Sequence, residues 1–261
     1  MSQTAHGSSP HLVRRIGVTV SYVICLVGSM IGVGVFGGTP ISEAAGGLLS
    51  TDATHLAPAS PAFSVWTLIY VALGAYTLWQ WWDRRDPRGI GWWVALSLLL
   101  NAAWILSVQA DLIWVSVGVI AVLLVVLART FATLLGTRPR STAEAAVADG
   151  TVGLYLGWVS VATCANVAAA LAGAGFTGGG YPEVWAVAVL VVVAAIGVTL
   201  AVVGRGRLAV AATLTWGLAW IAVARTDEPY SMGVAVVAGV AAAVVALSAL
   251  GLRLRAERVP T

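Results

Sequence analysis

Eight apolar runs, at about 16–37, 62–82, 91–108, 112–134, 152–174, 184–203, 208–224 and 231–252, leave this chain few ways to fold. Each is close to the roughly 17–25 residues that cross a bilayer as a helix. Inside hydrocarbon a backbone amide has no water to bond, so each run must satisfy its own polar groups as a helix. The expected fold class is all-α: a polytopic transmembrane bundle of eight helices. Composition agrees, because 59% of the 261 residues are hydrophobic and 10% charged, against roughly 25% charged in a soluble domain. The bilayer is the first partner.

The inventory excludes several chemistries. All fourteen basic residues are arginine, so no lysine amine is present for a retinal Schiff base. His6, His11 and His55 lie outside the apolar runs and supply no paired imidazoles for a membrane haem. Cys25 and Cys164 fall inside apolar runs and read as small packing residues rather than a disulfide or cluster site. No phosphate-binding loop, nucleophile elbow, paired carboxylates or metal-ligand set appears, so no catalytic residue and no metal is expected. The arginines sit in small clusters between runs, which excludes a nucleic-acid face.

Those clusters set the expected topology. Arg14 and Arg15 precede the first run; Arg84, Arg85 and Arg88 follow the second, Arg138 and Arg140 the fourth, Arg205 and Arg207 the sixth, and Arg253, Arg255 and Arg258 the eighth. The alternate connections hold Glu43, Asp52, Asp111, Glu183, Asp227 and Glu228, with Arg225 as their one basic residue. The positive-inside rule therefore predicts both termini in the cytoplasm, and the expected location is a bacterial cytoplasmic membrane. Arg129, near an expected membrane boundary, reads as a snorkelling residue. The first run is long enough to be retained as a helix. Segment 38–61, rich in Gly, Ala, Ser, Thr and Pro, has the composition of a lid-like loop or a passive linker. Ser141 stands three residues before Glu144, a capping-box spacing that predicts a helix start ahead of the fifth run.

Candidate binding residues form three stripes. Trp66, Tyr70, Leu73, Thr77 and Gln80 share one face of the second run; Ser97, Asn101 and Trp104 share one of the third; Tyr155, Trp158, Ala162, Thr163 and Asn166 form a broader one on the fifth. A carboxamide facing lipid would be unsatisfied, so Asn101 and Asn166 are expected to point inward and bond another helix or a ligand. Trp79, Trp81, Trp82, Trp92 and Trp93 flank the basic loop 83–90 and read as interfacial belt residues, as do Trp114 and Trp185. Gly28 and Gly32, and Gly153 and Gly157, have the GxxxG spacing of close helix contact, within the bundle or across a homodimer.

Read together, the stripes resemble the TspO/MBR family, the tryptophan-rich sensory proteins related to the mitochondrial translocator protein. Phe63-Ser-Val-Trp66-Thr-Leu-Ile-Tyr70 is similar to its second-helix F-x-x-W-x-x-x-Y, Leu100-Asn101-Ala-Ala-Trp104 to its third-helix L-N-x-x-W, and Tyr155 through Asn166 to its fifth-helix Y-x-x-W-x-x-x-A-T-x-x-N. Its first-loop W-Y-x-x-L-x-K-P pattern is absent from 38–61, and Val167 stands where an aromatic commonly follows the fifth-helix Asn. The resemblance covers about residues 14–174. It implies a five-helix core (14–174); beyond the usual five helices this sequence has three additional ones (175–252), between a polar tail (1–13) and a basic tail (253–261). It also implies a pocket for porphyrins or similar flat hydrophobic ligands, with no covalently bound cofactor, and a dimer. The expected activity is that of a ligand-binding sensor or regulator, ahead of a transporter of small apolar molecules and a membrane enzyme modifying a bound pigment. Trp66, Tyr70, Asn101, Trp104, Trp158, Thr163 and Asn166 are expected to line one cavity opening toward 38–61; if they only pack, their side chains will interdigitate and leave none.

Overall fold

The computed structural model describes residues 9–35, 39–41, 43–83 and 85–258. The polar tail 1–8, the expected end of the first span at 36–37, Arg84 and residues 259–261 lie outside them. Eight long helices follow one another: α1 (Ser9–Gly32), α2 (Val65–Trp82), α3 (Gly91–Gln109), α4 (Ile113–Leu135), α5 (Thr142–Gly173), α6 (Pro182–Val203), α7 (Leu208–Ala224) and α8 (Met232–Arg258). Seven are long and apolar enough to cross a membrane, and the protein is an integral membrane protein. The eighth, α7, has 17 residues, a rise of about 25 Å. Two helices outrun their expected spans: α1 takes in residues 9–13 of the polar tail, and α8 carries Arg253, Arg255 and Arg258 in its last two turns.

Local chemistry explains the helices and their ends. Hydroxyls within the spans turn back onto their own helix: Thr77 Oγ1 donates to Leu73 O at 2.8 Å, Thr130 Oγ1 to Val126 O at 2.7 Å and Ser97 Oγ to Val94 O at 2.8 Å. No donor is left facing hydrocarbon by these residues. Ahead of α3 the Asp86 carboxylate accepts from the Ile90 and Gly91 amides, satisfying orphan donors of its first turn. At α5 the Ser141 hydroxyl accepts from Glu144 N at 3.1 Å, as the spacing predicted, while Glu144 Oε2 takes the Arg140 amide at 2.8 Å rather than completing the box on Ser141. A wide π turn over Ala145–Gly150 follows.

The first five helices form a ring: α1 lies on α3, α3 on α4, α4 on α5, and α2 touches both α1 and α5. From α5 the bundle continues through α7 to α8, which packs on α6. Two apolar cores result. One holds Ile69, Leu98, Trp104, Leu127 and Trp158; the other holds Leu190, Leu214, Leu218 and Val245, with Leu56 from the α1–α2 loop inserted into it. Both GxxxG pairs are spent inside the chain. A Cβ on Gly28 would stand 3.3 Å from Ala102 Cβ and one on Gly32 2.9 Å from Ile105 Cγ2, so they seat α1 on α3. Gly153 and Gly157 meet Ala209, Val210 and Thr213 of α7, and Gly217 of α7 receives Val161 of α5. This α5–α7 seam, strengthened by the Thr213 hydroxyl donating to Leu154 O at 2.8 Å, joins the two cores.

The arginine-rich connections meet at one end of the bundle. Arg88, 6% exposed, donates to both carboxylate oxygens of Asp149, to Thr137 Oγ1 at 2.8 Å and to Leu134 O at 3.0 Å. Arg207 pairs with Asp149 at 2.6 Å, Arg140 pairs with Asp83 and Glu144, and Arg14 pairs with Asp86 at 3.5 Å. Three connections and the start of α1 are thereby tied together. Trp82 and Trp92 face outward beside this end, and Trp81 lies under the Arg15 guanidinium at 5.1 Å, as belt residues would. Trp79 departs from that expectation: it is half-buried against the core and packs on Tyr76.

Candidate functional site

Trp66 on α2 is the centre of an aromatic cluster. It stacks on Tyr70 one turn later, at 5.4 Å between ring centroids and 17° between planes, and on Trp104 of α3 at 6.2 Å and 27°. Tyr155 and Trp158 of α5 meet it edge-on at 6.0 and 6.1 Å, and Phe63 meets Trp158 edge-on at 5.8 Å. Offset stacking and edge contact are the arrangements that the ring quadrupoles favour. The i, i+4 spacing of Trp66 and Tyr70 puts their rings on one face, and α3 and α5 bring the others to it.

One polar chain holds the cluster in register. Trp104 Nε1 donates to Asn166 Oδ1 at 2.6 Å, Asn166 Nδ2 donates to Ser116 Oγ at 3.0 Å, and Ser116 Oγ donates to Ile113 O at 2.7 Å. Asn166 therefore does bond other helices, α3 and α4. Asn101 is fully buried beside the Tyr70 and Tyr155 hydroxyls, and among the described residues neither carboxamide atom makes a hydrogen bond of ordinary geometry. Trp158 Nε1 is likewise buried and unpartnered.

Two spaces adjoin the cluster. A cleft of about 450 Å³ lies between α1 and α2, walled by Leu26, Met30, Trp66 and Tyr70 and floored by Trp104 and Ile105 of α3. A void of about 30 Å³ lies on the other side of Trp66, under the α1–α2 loop, bounded by Trp104, Trp158, Ala162, Asn166, Leu48, Thr54 and Pro58. The expectation of one cavity is thus corrected in three respects. Trp66 and Trp104 line both spaces, Tyr70 lines only the cleft, and Trp158 and Asn166 line only the void. Asn101 and Thr163 line neither; Thr163 follows Ala162 by 100° around α5 and spends its hydroxyl on Val159 O at 2.7 Å. The larger space is bounded by Pro40, Ile41 and Ser60 of the α1–α2 loop and open at its α1 side, where Met30 and Val33 are exposed; α1 is drawn onto α3 by Gly28 and Gly32 and meets α2 at the Tyr22 hydroxyl, which donates to Tyr70 O at 3.0 Å beside Gly74, and at Trp81, whose Nε1 donates to Thr19 Oγ1 at 3.1 Å. Sequence reading also passed over Ser116, a hydroxyl in the apolar first half of the fourth run, and left Phe63 of the second-helix motif out of the expected binding residues.

The loop over the void is fastened from outside the ring. Arg225, wholly buried just past α7, donates through Nη2 to Thr51 O at 2.7 Å and Ala57 O at 3.4 Å, and through Nη1 to Pro229 O at 3.1 Å. Trp216 Nε1 donates to Ala62 O at 2.9 Å, and Ala59 N donates to Trp220 O at 3.2 Å. Burial pulls the Arg225 pKa below its ordinary value, with the Asp52 carboxylate working the other way. In the same loop His55 lies 3.9 Å from Glu183; burial, then Arg225, hold its pKa below the usual histidine value, against the opposing pull of Glu183.

Among the described residues no three of His, Cys, Asp and Glu gather around a point that could hold a metal ion. What the site offers a ligand is aromatic surface, apolar wall and indole N–H groups. No curated protein and no solved structure matched the chain. A family model did, that of the TSPO-like proteins, over residues 17–251. The match runs through the aromatic stripes of α2, α3 and α5 and on across α6, α7 and α8, and the chain belongs to the TSPO-like protein family.

Proposed function

We propose that this protein is a membrane sensor or regulator that holds a flat hydrophobic ring system, of the porphyrin or tetrapyrrole class, against Trp66 and Tyr70 in the α1–α2 cleft. The observation that carries the reading is the cleft itself: about 450 Å³ of largely apolar space with Trp66, Tyr70 and Trp104 on its surface, within the size range of small-molecule sites. A packed aromatic core would have closed it. A conjugated ring laid on Trp66 gains offset contacts worth about 0.5–1.5 kcal/mol for each aromatic partner beyond the area it buries. The side opening lets a ligand dissolved in the bilayer reach those rings without crossing water. The arginine-rich end, with both termini, faces the cytoplasm of a bacterial cell in this reading, and a signal would pass through that end to a partner.

Titration of the purified protein with protoporphyrin IX, read by tryptophan quenching, tests it. Trp66→Leu is expected to weaken binding about tenfold, from the loss of stacking and contact area, while Thr163→Val, off the cleft, binds as the native chain does. Equal affinity for all three refutes the site. The side opening also favours a second reading, passage of apolar molecules between bilayer and protein; vesicles holding only this chain would then show ligand flux, and a sensor would show none.

A further inference from the structure

The α1–α2 loop is attached to the second bundle rather than only to the ring it covers. Leu48, Leu49, Thr54, Ala57 and Pro58 form its inner surface over the void beside Trp158. Its outer side is held by α7 through Arg225, Trp216 and Trp220, and Leu56 sits in the α6–α8 core. The way Arg225 is held is unusual. A wholly buried guanidinium is solvated by three main-chain carbonyls, two of them from the loop, and among the described residues no carboxylate lies in salt-bridge range and its Nε has no hydrogen-bond partner. A buried cation depends on such contacts, because removing them strands the charge away from water. The loop and Arg225 therefore hold each other: lifting 51–57 exposes the guanidinium, and losing the guanidinium frees two carbonyls and unpins the loop.

We propose that residues 48–58 are a lid over the void beside Trp158 and that Arg225 is its latch, so that the C-terminal helices, through the end of α7, govern opening at the loop end of the ring built by the first five. The inference rests on the ligand reading only for what the lid covers; the latch is a property of the chain alone. It gives α7 a task that packing does not require. It also gives a loop rich in Gly, Ala and Pro, whose own hydrogen bonds are local turns, a fastening that holds it over the void.

The test uses no ligand. In a Cys25→Ser, Cys164→Ala background, a cysteine is placed by Ala57→Cys, at a position 6% exposed on the lid's inner surface. Its labelling by a polar maleimide is compared with that of Tyr181→Cys, at a position 70% exposed. With Arg225 present, the Ala57→Cys thiol is expected to react far more slowly than the reference. Arg225→Gln should raise the ratio about tenfold or more, the scale of losing two charged hydrogen bonds, and Arg225→Lys, which keeps the charge without the fork, should fall between. Trp216→Phe removes only the bond to Ala62 O and should raise the ratio several-fold while leaving the buried charge in place. If Arg225→Gln fails to fold, Trp216→Phe decides. An unchanged ratio in the folded variants overturns the latch, whatever porphyrin titration shows; a raised ratio with no porphyrin binding keeps the latch and removes the ligand.

Discussion

Gly157→Ala is the sharpest test of how the two cores are joined. A Cβ at this position overlaps the Val210 carbonyl oxygen and the Thr213 hydroxyl outright and stands 3.1 Å from Leu214 N. Most of what it meets is backbone, so no side-chain rotation relieves it. Non-bonded carbon and oxygen rest near 3.5 Å, so α5 and α7 would have to part by about 1 Å. That parting stretches the 2.8 Å bond from Thr213 Oγ1 to Leu154 O beyond useful length. Overpacking of this kind costs about 1–3 kcal/mol, and the lost hydrogen bond about 1 kcal/mol. Alanine returns about 1 kcal/mol over glycine in a helix interior. The net expectation is a loss of about 2 kcal/mol. Gly118→Ala on α4 is the matched control: nothing lies within 4 Å of its Cβ, so it keeps the propensity gain alone. Denaturation of both variants by SDS titration, followed by tryptophan fluorescence, gives the comparison. If Gly157→Ala is as stable as Gly118→Ala, the α5–α7 seam is not where the halves meet.

Two further outcomes follow from charged groups. Arg88→Met leaves Asp149 with Arg207 and Glu144 with Arg140 as their remaining cations and should lower stability by about 2–3 kcal/mol in the same titration, through the lost charged hydrogen bonds; a loss under 1 kcal/mol would show the cluster to be solvated rather than buried. His55 gives a pH dependence whose sign is set by its depressed pKa. The closed loop holds imidazole neutral, the released loop lets it protonate near the ordinary value of about 6.5, so the released state binds more protons in between. Closure is at full strength above that value and weakens as pH falls below it. Labelling of the Ala57→Cys lid thiol relative to the Tyr181→Cys reference should therefore rise between pH 7.5 and 5.5, and His55→Gln should flatten the rise.

The helices were legible because hydrocarbon permits little else: apolar length placed all eight, and the alternation of arginines anticipated which connections meet at one end. The face of each stripe was legible too, since helical period puts Trp66 with Tyr70 and Trp104 three residues after Asn101. Distance between faces was not. Whether Tyr70 and Trp158 share one cavity depends on how the helices sit around Trp66, which lines both spaces and stands between them, and no single-helix pattern reports that. Thr163 shows the limit at finer scale, because a hydroxyl on a promising face can still return to its own backbone. Arg225 stood out in the sequence as the lone basic residue among acidic connections, but its partners are carbonyls, which carry no residue signature.

That last point bears on how such a loop changes over generations. The attachments of 51–62 to α7 run through Thr51 O, Ala57 O, Ala59 N and Ala62 O, atoms that every residue other than proline carries, with proline lacking only the amide. Substitution along the loop leaves those attachments intact so long as the chain path is kept. Apart from Leu56, whose side chain sits in the second core, the loop is therefore free to drift in composition, while the positions of Arg225 and Trp216 are not. A TSPO-like chain can in this way carry a first loop of its own composition over the void beside Trp158, with the constraint moved more than 150 residues along the sequence.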